Sequence, residues 1–493
     1  MNKEKVSKEP TLFLALLPVV LLIIMMAVGV YLFQDDLTSG PSQVALVTAA
    51  IIGALVAIFH LKIPWEKIEE GILKNLSNTG GAIFILLMIG ALTASWIQSG
   101  VVPTLIYYGL KIINPSIFLL IVFLFTGVIS LMAGSSWTTI GTIGVAMIST
   151  GEILGFHTGW LAGAIISGAY LGDKLSPLSD TTNLAASISG VDLYKHIKYM
   201  ALTNLPSFLI VAIIFGIAGF FIPTNAVLDV EEQCAEIAST YNISLWLLLI
   251  PCFTIFLIFK KLSPFITLFL SAVVATAVAM FAQPDIINQI SPYAEGDPMR
   301  YIYVPMKMLS SHVDIETGNE ILNGLASTNG MGGMMTTIWL ILCVVAFGGV
   351  MESAGYINAV TQKIAGAMKS AASLVSSTIG TCIFCNIVIS DQYMSILIPG
   401  KMFSQVYKEN GYEARLLSRS LEDSATVTSV LIPWNTCGVV QSSVLGVPTL
   451  TYLPYCFFNY LSPIVSILFA VVGYKIYQFG KPVMNVFRKG REK

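Results

Sequence analysis

The chain has 493 residues, 55% of them hydrophobic and only 11% charged, with a mean hydropathy of +0.78. A soluble globule carries about 25% charged residues, so this composition excludes an ordinary soluble domain and points to a chain solvated by lipid. The net charge of −2 comes without a basic patch, which argues against nucleic acid as a partner.

In chain order, the first apolar run is TLFLALLPVVLLIIMMAVGVYLF (11–33). It is too long for a signal-peptide core, and no small-residue cleavage site precedes Gln34, so it reads as the first span. Further spans are predicted at 43–61, 81–99, 115–150, 159–187, 200–222, 243–259, 263–282, 337–353, 373–407, 416–446 and 453–476. The runs 115–150 and 373–407 exceed one crossing and have no charged loop in the middle. Each must therefore enter and return. Their midpoints, AGSSWTTIGT (133–142) and NIVISDQYMS (386–395), are polar. Irregular backbone at that depth is tolerated only where it lines a protein cavity, which favours re-entrant hairpins over the alternative, a tight pair of spanning helices. Residues 283–336 are acidic and rich in turn formers, which predicts an extracellular linker. The seven cysteines lie mostly in apolar segments and do not suggest a disulfide framework. The Cys382–Cys385 pair reads as buried membrane cysteines, with no second such pair or histidine nearby to make a metal site.

Basic residues fix the orientation. One set of turns carries 22 of the 26 lysines and arginines, from Lys3, Lys5 and Lys8 through Lys62, Lys67, Lys74, Lys195, Lys198, Lys260, Lys261, Lys363, Lys369, Lys401, Lys408, Arg415 and Arg419 to the tail. The opposite turns are acidic, with Asp35, Asp36, Asp229, Glu231, Glu232, Glu236, Asp285, Asp297, Asp314 and Glu316. Both termini are therefore expected to be cytoplasmic, as a short N-terminus (1–10) and a basic tail (477–493).

The two halves, 11–222 and 243–476, share an order of elements. Leu171-Gly172-Asp173 corresponds to Leu421-Glu422-Asp423, and Ser176 to Thr426. Each half crosses an odd number of times, so the second copy is inverted. The expected fold is an all-α polytopic membrane protein of two inverted-topology repeats. Each has five spans plus a re-entrant hairpin, with helices broken at the midplane, an architecture of secondary transporters.

The breaks can be named. In the first half the tip Ser135–Thr139, including Ser136 and Thr138, faces an interruption at Asp173–Asn183. In the second half Ser390-Asp391-Gln392 faces Glu422–Asn435, with Pro433 as breaker. Each carboxylate at a helix centre costs about 2.5–3.5 kcal/mol on insertion scales, so Asp173, Asp180, Asp391, Glu422 and Asp423 are expected to bind something or to pair internally. Carboxylates, hydroxyls and freed carbonyls are hard ligands for a small cation. Crowded carboxylates also exchange protons near neutral pH. One cluster can thus take Na+ or protons in competition. Lys174 fits as an internal cation that releases its carboxylate when sodium arrives. Histidines 60, 157, 196 and 312 fall at span ends or in loops and are not expected to relay protons.

The run GDKLSPLSDTTNLA (172–185) resembles the signature of the NhaC family of Na+/H+ antiporters, and the similarity continues through SGVDLYKHIKYM and SRSLEDSATVTSVLIPWNTCG (418–438). The resemblance implies exchange of Na+ (or Li+) for H+ across the bacterial inner membrane. It also implies a scaffold with a hairpin-and-broken-helix transport unit, often a homodimer. Carried over by position, it makes Asp173, Ser176, Asp180, Thr181, Thr182 and Asn183 the first-half binding residues. Asp391, Asp423, Thr426, Asn435 and Thr436 are their second-half counterparts, with Asp173, Asp180, Asp391 and Asp423 as the Na+ ligands. Lys174 and Pro177 correspond to Ser424 and Val427, so the half-sites are not chemically equivalent.

Some similar proteins exchange malate against lactate with Na+ and H+. An Na+/H+-coupled organic-acid exchanger is therefore the alternative, with Lys174 as the one deep cation able to receive an anion. No intramembrane HExxH and no phosphate-binding loop is present, so neither an enzyme nor an ATP-driven pump is expected, and no cofactor beyond the transported Na+ and H+.

Overall fold

A computed structural model describes residues 9–33, 39–112, 114–222, 230–260, 262–316, 323, 326–365 and 370–483. Lys3, Lys5, Lys8, Asp35, Asp36, Asp229, Lys261, Lys369 and the tail beyond 483 lie outside these residues.

The first half runs α1 (Leu12–Phe33), α2 (Pro41–Phe59), α3 (Trp65–Gln98), α4 (Val101–Ile112) and α5 (Pro115–Ala133). It continues with α6 (Ser136–Thr139), a π-helical turn at Ile140–Gly144, α7 (Val145–Ile153), α8 (Thr158–Leu175), α9 (Asp180–Ser189) and α10 (Leu193–Phe221). A connecting α11 (Val230–Thr240) leads to α12 (Leu249–Phe259), α13 (Pro264–Ala282), α14 (Pro284–Ile290) and α15 (Arg300–Ser310). The remainder comprises α16 (Met335–Ser353), α17 (Tyr356–Ala365), α18 (Ala371–Val388), α19 (Gln392–Glu409) and α20 (Ala414–Leu421), then a π-helical turn at Glu422–Thr426. It continues with α21 (Thr436–Leu445), α22 (Thr449–Tyr452) and α23 (Phe457–Val472), after which Tyr477–Gln478 pairs with Lys481–Pro482 in a short hairpin. Among the described residues, eight helices are long and apolar enough to cross a membrane, or up to ten if two sharply bent pairs each count as one span. The chain is an all-α, multi-pass membrane protein.

The sequence sets these boundaries locally. Asn114 caps α5, accepting from Ser116 N at 2.9 Å with Pro115 in the first turn, and Gly134 ends the helix in the left-handed region at φ 66°. The residue before a proline is steered out of the helical region. Ser176, ahead of Pro177, is accordingly extended and closes α8. Ser179 then caps α9, and Gly190 ends it left-handed.

Three departures from the sequence expectation have physical reasons. Helix α3 begins at Trp65 rather than 81, because WEKIEEGILKNLSNTGG is polar yet amphipathic and buries Ile68, Asn75 and Thr79. Residues 283–336 are not a bare linker. Ile286, Ile287, Val304, Met308 and Val313 form a small core with Tyr241, and Val313 bridges Thr328. Arg419, placed in a basic loop by sequence, is fully buried in the last turn of α20.

Close backbone packing holds the first hairpin to the first broken helix. A Cβ on Gly172 would lie 2.1 Å from the Gly127 carbonyl oxygen, and one on Gly168 would lie 2.2 Å from that of Phe123. Small residues let membrane helices approach this closely, and Ser130 Oγ donates to the Ala169 carbonyl across the seam at 2.6 Å.

The two ends of the molecule differ in chemistry. At one end Gly355 lies beside Pro10, Lys74 pairs with Glu352 at 2.9 Å, Arg415 lies over the rings of Tyr199 and Tyr477, and Tyr199 donates to the Lys475 carbonyl. The opposite end holds Ser39 with Gly333 and Gly446 around a hydroxyl-lined pit of about 300 Å³. There Gln283 also stitches Ser99 to Asn242.

Candidate functional site

Both hairpin tips, the first helix break and the start of α21 meet in one cleft of about 560 Å³. The first tip contributes Ser136, Trp137 and Thr138, and the first break Ser179, Asp180 and Thr181, with Asp173 from the end of α8. From the second half come Asp391, Gln392 and Tyr393 at the start of α19, and Thr436 at the start of α21. The turn Leu262–Pro264 borders the cleft, as do Asn78 and Thr79 of α3. The cleft therefore approaches the end of the molecule that carries Lys74 and Arg415. Among the described residues that line it, none is Lys, Arg or His.

Asp173 is 5% exposed, and its Oδ2 accepts from both the backbone N (2.9 Å) and the Oγ (2.8 Å) of Ser136. One hydrogen-bonded pair thus fastens the first hairpin tip to the end of α8. Thr138 is turned inward to Ser135, donating from N and Oγ1 at 3.2 and 3.1 Å. Asp180 stands exposed in the cleft at the first position of α9. Its neighbours secure the break. Ser179 Oγ lies 3.1 Å from Thr181 Oγ1, Thr182 Oγ1 donates to the Lys174 carbonyl, and Asn183 Nδ2 donates to the carbonyls of Pro177 and Ser179. Ser176 Oγ accepts from Leu178 N.

On the other side Asp391 caps α19, accepting from Met394 N at 2.9 Å. Ser390 before it holds a left-handed φ of 60°, unusual for a non-glycine residue, and its carbonyl accepts from Thr436 N at 2.9 Å. The second tip is thereby tied to the second break. Asn435 caps α21 through Cys437 N and donates to the Asn386 carbonyl at 3.0 Å.

Sequence neighbours part company at Asp173 and Lys174. Asp173 faces the cleft, whereas the Lys174 ammonium turns into a closed chamber at 0% exposure. There it donates to Asp423 (2.5 Å), Ser462 (2.7 Å) and Asn204 (2.9 Å). Asp423 also accepts from Thr203 at 3.0 Å and lies 3.7 Å from Arg419 Nε. The guanidinium of Arg419 stacks over Tyr199 at 4.9 Å. Asp423 thus sits apart from Asp173, Asp180 and Asp391, because its π-helical turn points it away from the cleft. Glu422, beside it, is equally buried and is not paired with Arg419. Lys174, Ser176, Thr182, Asn183, Glu422, Asp423, Thr426 and Asn435 do not line the cleft. Among the described residues no three acidic, histidine or cysteine side chains converge as a metal cage.

A model of the Na+/H+ antiporter family matches residues 168–474, spanning the first break, the second hairpin and the second break. The chain belongs to the Na+/H+ antiporter family. Among its relatives, the Na+/H+ antiporter NhaC of Alkalihalophilus pseudofirmus is 36% identical over 88% of this chain and 90% of its own. The arginine/ornithine antiporter of Halobacterium salinarum is 34% identical over 96% and 94%, and the malate-2H+/Na+-lactate antiporter of Bacillus subtilis 34% over 88% and 90%. All three are named as antiporters, not enzymes.

Several polar residues of this family member escape a reading by motif. Thr203 and Asn204 lie in α10 and Ser462 in α23, outside any motif. Their position beside the Lys174–Asp423 pair is set by tertiary packing alone. Asn386 and Gln392 lie within the polar stretch that marks the second hairpin. Asn386 donates to the Ala425 carbonyl at 2.7 Å, and Gln392 Oε1 accepts from Ser429 Oγ at 3.2 Å. His196 sits in the first turn of α10, as a span end should, but is fully buried with Nδ1 2.8 Å from Ser418 Oγ.

Proposed function

We propose that this antiporter exchanges Na+ (or Li+) for H+, the two competing for the carboxylates of Asp173, Asp180 and Asp391. The observation that carries the reading is the cleft itself: three carboxylates with the hydroxyls of Ser136, Thr181 and Thr436, and no basic side chain among the described residues that line it. Such a wall attracts cations, and carboxylates held near one another favour sharing a cation or a proton over full ionisation. The family relationship and the NhaC relatives agree with this chemistry.

The meeting of both hairpin tips with the starts of α9 and α21 in the cleft supports an inverted-repeat organisation with the substrate at the repeat interface. The gathering of basic side chains at one end supports cytoplasmic termini in a bacterial inner membrane. Lys174 and Asp423 act behind the cleft wall, where Lys174 neutralises Asp423 and Asp173 remains available to the cation.

A second reading has one observation in its favour. The cleft is large enough for a small organic molecule, and relatives exchange arginine for ornithine or malate for lactate. Among the described residues no basic side chain lines the cleft and the deep ammonium of Lys174 is already held by Asp423, which suits a cationic passenger better than malate.

The test is dye dequenching in inverted membrane vesicles that lack other Na+/H+ exchangers. Na+ and Li+ are expected to dequench the wild type without added organic acid, and Asp173→Asn and Asp180→Asn to abolish the response. A response that requires malate or lactate would replace this reading with the organic-acid one, and full activity in both variants would sink the site.

A further inference from the structure

Behind the cleft, Glu422 presents a combination that cation–proton competition at the cleft does not use. Its side chain is at 0% exposure on the π-helical turn Glu422–Thr426, and among the described residues neither carboxylate oxygen has a hydrogen-bond partner. The Thr426 hydroxyl at the far end of the same turn is also fully buried and without a partner. Glu422 and Thr426 stand at the two ends of one π-helical turn, and α9, which carries the hydroxyl of Thr181, packs against that turn. A buried threonine in a helix ordinarily bonds back to the carbonyl four residues earlier. Thr428 does so to Ser424, but Thr426 does not. π-Helical turns are frequent at functional sites.

Two adjacent buried groups lacking partners are a costly arrangement, because a buried carboxylate needs a counter-charge or a donor. Lys174 does not supply one, since its three donors go to Asp423, Asn204 and Ser462. Arg419 is turned toward Asp423 and Tyr199. What the cluster offers is one negative charge and hydroxyl oxygens from two helices. That set suits a small hard cation. A single carboxylate balances one positive charge, and divalent sites draw on more anionic oxygen. We propose that Glu422, Thr426 and Thr181 form an occluded site for a small alkali cation, separate from the cleft. The proposal rests on the cation-exchange reading above and adds a second station to it. Thr181 lines the cleft, and its helix α9 packs against the Glu422–Thr426 turn, which makes α9 the partition a cation passes.

Equilibrium binding of radioactive Na+ to the purified full-length protein tests it. The wild type is expected to bind two Na+ per chain, Glu422→Gln one, and Asp180→Asn one. Thr426→Val keeps the shape and removes one ligand oxygen, so it is expected to weaken one of the two sites about tenfold, equivalent to roughly 1.4 kcal/mol. It also serves if Glu422→Gln fails to elute as a folded protein. Wild-type stoichiometry and affinity in Thr426→Val, or in folded Glu422→Gln, would overturn the second site, as would a single Na+ in the wild type. Loss of the cleft reading has a different signature: Asp173→Asn and Asp180→Asn would then keep both Na+ binding and dequenching.

Discussion

The Lys174–Asp423 pair allows a quantitative test of how the closed chamber is held together. At 2.5 Å, and with an effective dielectric constant of about 20, the gross attraction is roughly 6–7 kcal/mol. Burying two ions costs several kcal/mol each, so the net worth of the pair is small while the penalty for breaking it is about 3–5 kcal/mol. The geometry makes the two single breaks unequal. Lys174→Met leaves Asp423 with Thr203 and with Arg419 at 3.7 Å. Asp423→Asn removes the carboxylate that both Lys174 and Arg419 face. The aspartate variant is therefore expected to be the less stable of the two. The double variant should cost less than the sum of the singles by about 2 kcal/mol or more, because it removes one of the stranded cations. Denaturant unfolding of the detergent-solubilised protein, followed by tryptophan fluorescence, measures all four corners of the cycle. Additivity within about 0.5 kcal/mol, or a lysine variant less stable than the aspartate one, would refute the reasoning.

Other substitutions probe separate parts of the construction. Gly172→Ala places a methyl 2.1 Å from the Gly127 carbonyl oxygen and 2.7 Å from Leu131 N. It should lower the yield of folded protein sharply in size-exclusion profiles, because the obstacle is backbone. At Ser390, φ 60°, glycine should be close to neutral while valine costs at least about 1–2 kcal/mol in the same unfolding assay. Ser136→Ala removes the 2.8 Å bond to Asp173 but keeps the backbone one at 2.9 Å. It is expected to raise the Na+ concentration for half-maximal dequenching several-fold without abolishing exchange.

The sequence signals that survive folding are those with a one-dimensional cause. Apolar runs located the spans, and Pro177 and Pro433 marked interruptions at Ser176–Ser179 and ahead of Thr436. Capping residues are legible for the same reason: Asn114, Ser179, Asp391 and Asn435 each bond an amide within three residues of themselves. Helix α3 starts ahead of its apolar run and 283–336 carries short helices with a small core, because there amphipathic periodicity, not mean hydropathy, carries the structure. Sequence reasoning also counts Arg419 with the loops because it follows Arg415, and only the packing of α20 shows that four residues along a helix lead from a surface site to the interior.

The division of polar residues between cleft and chamber was not legible, and the reason lies in helix geometry. Successive residues in a helix are about 100° apart, so Asp173 and Lys174 at the end of α8 address different compartments although they read as one charged dipeptide. The same rotation separates Glu422 from Asp423 on the second half. Each adjacent pair thus places one side chain on the path proposed for the cation and the other in, or beside, the closed network. A movement of α8 or of the Glu422–Thr426 turn would act on both compartments together. Coupling between a cation in the cleft and the charge network behind it then needs no relay of intervening side chains. Two neighbouring residues share a peptide bond, and that bond is the connection.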